Sequence, residues 1–293
     1  MQHVVVIADQ TGGKNFALHR ALALSKLSKL KITLLGFCYA NIDHIDDIEH
    51  SKLSRKALER KLTKLRTNEL EQIAESIAGK QHKLSIEVQW SKDITPAVIA
   101  FCKTNQADLL IKTVGNNKHL LKSSTDWRLL RECPCPVMIA TNKSWRKKPI
   151  VLAAVDFASK SKTKQKLNDA IVGHAKTLAT MTESELHIAY SIKLPQALID
   201  LDIINSKDYV KNKKLTLKPV IDSFCEKHAI SKDQLHIRQG SPDRIIPSIA
   251  NKLKANLVVC GTVGRKGIKG KLVGNTAESI LENLYTEILA IKP

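Results

Sequence analysis

Ala255-Asn256-Leu257-Val258-Val259-Cys260-Gly261 begins with a small and a polar residue, runs through an apolar stretch of strand length and stops at a glycine. A short Val/Leu run bounded in this way reads as a strand buried on both faces, as in parallel sheets. The stretch Ala107-Asp108-Leu109-Leu110 repeats its beginning about 150 positions upstream. Further correspondences keep nearly the same offset. Asp9 answers Asp156, while Ser91 and Asp93 answer Ser241 and Asp243, short oxygen-bearing side chains suited to cap the helices that follow. Duplication of one folding unit explains the pattern more simply than chance does.

Apolar runs and segments of helical period alternate throughout. In the first half the runs are Val4 to Ala8, Ile32 to Phe37, Leu84 to Trp90, Leu109 to Val114 and Val137 to Ala140, with helices expected near 14–29, 51–79, 94–105 and 125–132. The second half repeats the order, with strands near 150–155, 186–190, 235–239, 257–261 and 287–291 and helices near 163–181, 207–228, 243–254 and 276–284. The fold class is therefore α/β, with two tandem domains, each a five-stranded, mostly parallel sheet flanked by helices. The expected boundaries are 1–142 for the first domain, 143–148 for a polar, basic linker ahead of Pro149, and 149–293 for the second. The apolar insertion at 191–208 is expected to pack on the sheet or, as the alternative, to cover a ligand pocket.

Composition narrows the function classes. The chain of 293 residues is 43% hydrophobic and starts without a basic leader, and no apolar run reaches the roughly 18 residues of a membrane span, so a cytoplasmic protein is expected. The net charge of +19 divides as 25 − 14 = +11 over residues 1–148 and 22 − 14 = +8 over the remainder, with no basic tail. Aromatic residues make up only 4%, too few for a base-stacking platform, which argues against nucleic acid as the partner. The six cysteines lie mainly in apolar segments and read as buried free thiols. In Cys133-Pro134-Cys135-Pro136 a single residue separates the sulfurs and no second Cys or His pair follows, so no metal site is expected. No Ser-His-Asp or Cys-His set can be assembled either, so no catalytic residue is assigned.

The chemistry concentrates between Gly261 and Glu278, after a buried strand and before a helix. Gly261, Gly264 and Gly274 would let backbone amides approach a phosphate closely, with Arg265 beside the second glycine. Asn275 followed by Glu278 reads as a capping box that starts the next helix, whose free amides and positive dipole end suit an anion, with Thr276 in its first turn. Lys266, Lys269 and Lys271 would screen charge from the rim. A Walker loop would end in Gly-Lys-Ser or Gly-Lys-Thr, and a dinucleotide fingerprint would follow the first strand; neither condition is met.

Gly261-x2-Gly264-x9-Gly274 with Asn275-Thr276, after Ala-Asn-Leu-Val-Val-Cys, resembles the ATP-binding signature of universal stress proteins, departing from it in having Asn275 where the family has Ser or Thr. Thr125 to Arg131 with Cys133-Pro-Cys-Pro-Val137, and Gly-Asn-Thr-Ala-Glu at 274–278, extend the resemblance to tandem members of that family. The resemblance implies a Rossmann-like fold of the adenine nucleotide alpha hydrolase type. It also implies a stress-response role and ATP, with or without magnesium, or a related phosphorylated ligand in the C-terminal domain only. Asp156 would stand near the base or ribose, and Gly261, Gly264, Arg265, Gly274, Asn275 and Thr276 would stand at ribose and phosphates. Pairing of the two domains within the chain and homodimerisation are further implications.

The first domain has lost the pattern. Aligned without a gap, Thr113 replaces Gly261 and Asn116 replaces Gly264; a one-residue shift puts Lys112 opposite Gly261 and keeps only Gly115. No nucleotide is expected there. Beside the regulatory binding protein stand a slow ATPase or autokinase, a scaffold for another metabolite or an acyl-bearing ligand, and, on charge alone, a polyanion binder.

Overall fold

A computed structural model describes residues 1–26, 28–41, 54–79, 84–114, 124–262 and 275–292, with the side chain of residue 275 excluded. The chain falls into two units, Met1–Val114 with Glu132–Thr141, and Gly115–Arg131 with Asn142–Pro293.

The first unit contains β1 (His3–Ile7), α1 (Phe16–Ser25), β2 (Lys31–Cys38), α2 (Arg55–Ala78), β3 (Leu84–Trp90), α3 (Ile94–Thr104), β4 (Leu109–Thr113) and β5 (Val137–Ala140); α4 (Ser124–Glu132) precedes β5. Its strands lie in the order β3-β2-β1-β4-β5, and every pair is parallel. Val4 to Val6 and Leu109 to Ile111 are completely buried, as expected of strands covered on both faces. Edge strand β3 alternates Leu84-Ser85-Ile86-Glu87 and is half-exposed. Gly36 of β2 lets α2 lie close, since a Cβ there would come 2.4 Å from Leu70 Cδ1.

The second unit repeats this with β6 (Ile150–Ala154), α5 (Lys162–Met181), β7 (Glu185–Ile192), α6 (Gln196–Asp200), α7 (Ser206–Lys227), β8 (Leu235–Gln239), α8 (Pro242–Leu253), β9 (Leu257–Gly261), α9 (Asn275–Glu282) and β10 (Glu287–Ile291). The order is β10-β9-β6-β7-β8, again all parallel. Both five-stranded sheets and their helices match the expected α/β class.

The repeated Ala-Asp and Ala-Asn pairs have a shared purpose. The Asp108 amide donates to the His3 carbonyl (2.9 Å) and the Asn256 amide to the Ile150 carbonyl (2.8 Å). In return the Asp108 carboxylate accepts the amides of Gln2 (2.6 Å) and His3 (3.0 Å), and Asn256 Oδ1 accepts that of Ile150 (3.2 Å). Each clasp joins the start of the first strand to the start of the fourth and sets their register, Val4 beside Leu109 and Val151 beside Leu257.

Three expectations need correction. α1 starts only at Phe16, because Asn15 takes a left-handed conformation (φ 53°) and its amide is held by Asp9 Oδ2 (2.7 Å). Asp93 does cap α3, accepting the Thr95 amide at 3.1 Å, but Ser241 makes no cap bond to α8 and turns its hydroxyl to Asp243. The 191–208 insertion does not pack on the sheet beyond Ile192: α6 buries no residue, and Leu201 and Ile203 are 69% and 63% exposed. The basic stretch 143–148 is fastened along the second unit. There Lys143 donates to the Tyr285 carbonyl, Trp145 Nε1 to Glu287 Oε2 (2.8 Å) and Arg146 to the Leu253 carbonyl.

The two clasps differ in charge, which makes them separable by pH. The amides of His3 and Gln2 hold the Asp108 carboxyl below its ordinary value of 3.8. A lowered folded value contributes stability that is complete above the unfolded value and is lost as pH falls through the lowered one. Thermal unfolding followed below about pH 4 is expected to show a smaller loss of stability with acid for Asp108→Asn than for the native chain, because the amide at that position does not titrate.

Candidate functional site

At the carboxyl ends of β6, β7 and β9 the second unit encloses a cavity of about 670 Å³, within the range of roughly 300–1,000 Å³ usual for small-molecule sites. β6 sits between β7 and β9, so the chain leaves neighbouring strands β6 and β9 in opposite directions and opens a crevice between them.

Asp156 stands two residues beyond β6. Its backbone is gripped by the buried amide of Asn168 on α5, which accepts the Asp156 amide (3.0 Å) and donates to the Asp156 carbonyl (2.9 Å). One carboxylate oxygen accepts the Ala158 amide (3.1 Å), and the other lies 3.5 Å from Lys164 Nζ. The carboxylate is about half exposed, so the ion pair is loose and open to exchange for a ligand group. Lys164, Lys193 and Lys213 line the cavity, and Asp156 is the sole acidic residue among the described lining. The floor is apolar, with Leu167, Ile171, Ile246 and Ile280. Tyr190 is buried, with Phe157 edge-on to it at 5.2 Å between ring centroids; burial, then Asp156 and Tyr209, push its phenol up to about 12, so it stays neutral.

The opening of the crevice depends on close packing at its back. A Cβ on Gly261 would lie 2.4 Å from Leu167 Cδ2 and 3.1 Å from Ile171 Cδ1. Glycine at 261 thus has a packing reason in α5, besides the amide approach for which the sequence singled it out. Beside it Cys260 is buried, which raises its thiol to about 12 and leaves it protonated.

The structure brings together Asp156, Gly261 and Thr276, the last on the first turn of α9. Asn275 begins α9, with its side chain outside the described residues. Gly264, Arg265 and Gly274, with Lys266, Lys269 and Lys271, also lie outside them. Sequence reasoning missed Asn168 and the lining residues Lys164, Lys193, Tyr190, Tyr209 and Lys213. Tyr209 and Lys213 were legible in part, since a spacing of four on α7 puts both on one face.

In the first unit the corresponding groups are engaged within the chain. Thr113 Oγ1 accepts the Ala17 amide at the start of α1 (3.0 Å). Arg66 of α2, 8% exposed, donates to the Asp9 carbonyl, to Thr11 Oγ1 (3.4 Å) and to Glu69 Oε2 (2.6 Å). Asn116 and Gly115 lie outside the described residues.

Two parallel five-stranded units, one with a basic crevice at its switch point, define an α/β protein with a cavity at the strand ends of its second unit. The model of the universal stress protein family matches residues 1–141 and again 150–292, and the chain belongs to that family, in its tandem form. Similar proteins include the universal stress protein E homolog of Haemophilus influenzae, 26% identical over 302 positions that cover 100% of this chain and 97% of the relative. Universal stress protein E of Escherichia coli is 28% identical over 309 positions, covering 100% and 94%. Among solved structures, a functionally uncharacterised protein of Pseudomonas aeruginosa aligns with a TM-score of 0.76 at 25% identity, covering 100% and 93%. A universal stress protein from Archaeoglobus fulgidus shares the fold at a TM-score of 0.68 and 17% identity, covering 99% and 98%. Among the described residues no helix is long and apolar enough to cross a membrane.

The packing role of Gly261 is separable from any ligand role. Gly261→Ala is expected to cost about 1–3 kcal/mol of unfolding free energy from overpacking, and Leu167→Ala in the same chain to recover part of it. Denaturant melts of the single and double variants measure both; additive losses would contradict the contact.

Proposed function

We propose that this chain is a stress-response binding protein whose second unit takes ATP, or a related phosphorylated ligand, in the crevice at the ends of β6, β7 and β9. The supporting observation is that one cavity unites Asp156 with Gly261 and Thr276, positions picked from two well-separated stretches of sequence, and with Lys164, Lys193 and Lys213. A phosphate chain is matched by those ammonium groups and by the free amides at the start of α9. The apolar floor suits a base, and the half-exposed Asp156 carboxylate can accept hydrogen bonds from ribose hydroxyls. In this reading Gly264, Arg265, Gly274 and Asn275 complete the phosphate side, and magnesium, if it accompanies the nucleotide, is carried mainly by the phosphates. The protein acts in the cytoplasm, as a homodimer, by changing partner contacts with its ligand state. A dedicated hydrolase needs a positioned nucleophile beside metal-holding carboxylates; the described lining offers Asp156 alone.

Calorimetric titration of ligand-free protein with ATP and magnesium tests this. One saturable site is expected, weakened about tenfold by Lys213→Ala, the loss of a charge-assisted contact, and abolished by Gly274→Val. No saturable binding, or binding indifferent to both changes, would remove ATP as the ligand. Phosphate release that Thr276→Ala abolishes while binding persists would instead favour the slow ATPase.

A further inference from the structure

Three cysteine sulfurs from separate parts of the sequence meet inside the first unit. Cys102 lies on the buried stripe of α3 with Thr95 and Val98. Cys133 and Cys135 flank the exposed Pro134 in the loop before β5. The sulfurs of Cys133 and Cys135 are 3.5 Å apart, and all three lie within 4.8 Å of one another. The side chains are 1%, 0% and 7% exposed, directly beneath a surface loop. Both sides are anchored at β4 or just ahead of it: the Pro136 carbonyl accepts the amide of Leu110 in β4 (3.0 Å) and the Cys102 carbonyl accepts that of Ala107, two residues before the strand (3.0 Å). The sulfurs therefore face one another on fixed backbone.

A free cysteine packs as a small apolar residue, and one such residue needs no further explanation. Three converging thiols are a different matter, because together they form a soft donor set of defined size. Metal–sulfur bonds of about 2.3 Å around a central cation place three sulfurs about 4 Å apart, between the 3.5 Å of the Cys133–Cys135 pair and the 4.8 Å within which all three lie. Among the described residues no fourth Cys, His, Asp or Glu joins the group. Structural zinc closes a tetrahedron of four ligands. Three thiolates without a fourth ligand suit a soft, monovalent cation that accepts trigonal coordination.

We propose that Cys102, Cys133 and Cys135 form a three-sulfur site for copper(I) in the first unit, separate from the crevice of the second. Binding forms copper–sulfur bonds and releases one proton to solvent for each thiol that becomes a thiolate, with no change in the oxidation state of copper. The contacts with Cys133 and Cys135, and then burial, hold the Cys102 thiol far above its ordinary range. Cys135 is pushed up to about 12: the contact with Cys102 lowers it, but that with Cys133 and burial outweigh this. Because the metal takes thiolates, it competes with protons for the sulfurs and affinity rises with pH. The C-P-C stretch argued against a metal because a single residue separates its sulfurs and no second pair lies nearby; the third sulfur is about 30 residues upstream.

The test uses the full chain, reduced and kept free of oxygen, titrated with copper(I) in competition with bicinchoninate. One copper per chain is expected, with tighter binding at higher pH, and X-ray absorption of the complex should show a first shell of three sulfurs. Loss of an outer partner of a metal site typically costs about 10–100-fold in affinity, so Cys102→Ser and Cys135→Ser should each weaken binding by at least about 100-fold. Cys225→Ser, in the other unit, should leave it unchanged. Failure of the native chain to take copper from the competitor, a shell containing nitrogen or oxygen, or unchanged affinity in folded Cys102→Ser would overturn the proposal. The shell of the native complex decides the matter even if a variant does not fold.

Discussion

The side-chain clasp between the first and fourth strands is the constraint on which the rest depends. Parallel strands have no hairpin to set their register, so a local device must do so. Asn256 in the second unit and Asp108 in the first bind the first strand through its own backbone, and the neighbouring Leu257 and Leu109 then fall into place beside Val151 and Val4. A shift of one residue would exchange the two buried faces of the strand and mismatch its packing against the helices on either side. It would also move Gly261 away from Leu167 and separate the ends of β6 and β9, between which the crevice opens.

From this common scaffold the two units diverge through a few side chains. Where the second unit has Gly261, with Leu167 packed above it, the first has Thr113, whose hydroxyl is used to hold the start of α1. Asp156 is gripped through its backbone by Asn168, and its carboxylate remains half exposed. Asp9 instead has its carboxylate on the Asn15 amide and its carbonyl on Arg66. The same positions thus line a cavity in one copy and supply internal connections in the other. The first copy has in exchange a cluster of three thiols at the opposite, amino-terminal end of β4.

The strands and most helices were legible because buried parallel strands leave continuous apolar runs and the repeat confirmed each assignment. Gly261 and Thr276 were legible through the glycine spacing, and Asp156 through the family resemblance. Lys164 and Tyr190 were not, because only tertiary folding brings residues of α5 and β7 to one cavity. Cys102 was hidden for the same reason. The start of α1 was misjudged because Asn15 leaves the helical region to serve a bond with Asp9, a choice that periodicity does not register. Leu201 and Ile203 misled in the other direction: apolar character suggested packing, and the structure leaves them exposed.

The central claim is that one of two duplicated crevices is a nucleotide site and the other is closed by the chain's own side chains. Photolabelling of the native chain with azido-ATP, followed by mapping of the modified peptides, addresses it most directly. The account predicts label in segments that line the second crevice, around Tyr190, Tyr209 to Lys213 or Thr276, displaced by unlabelled ATP. Displaceable label around Asp9, Arg66 and Thr113 would contradict it.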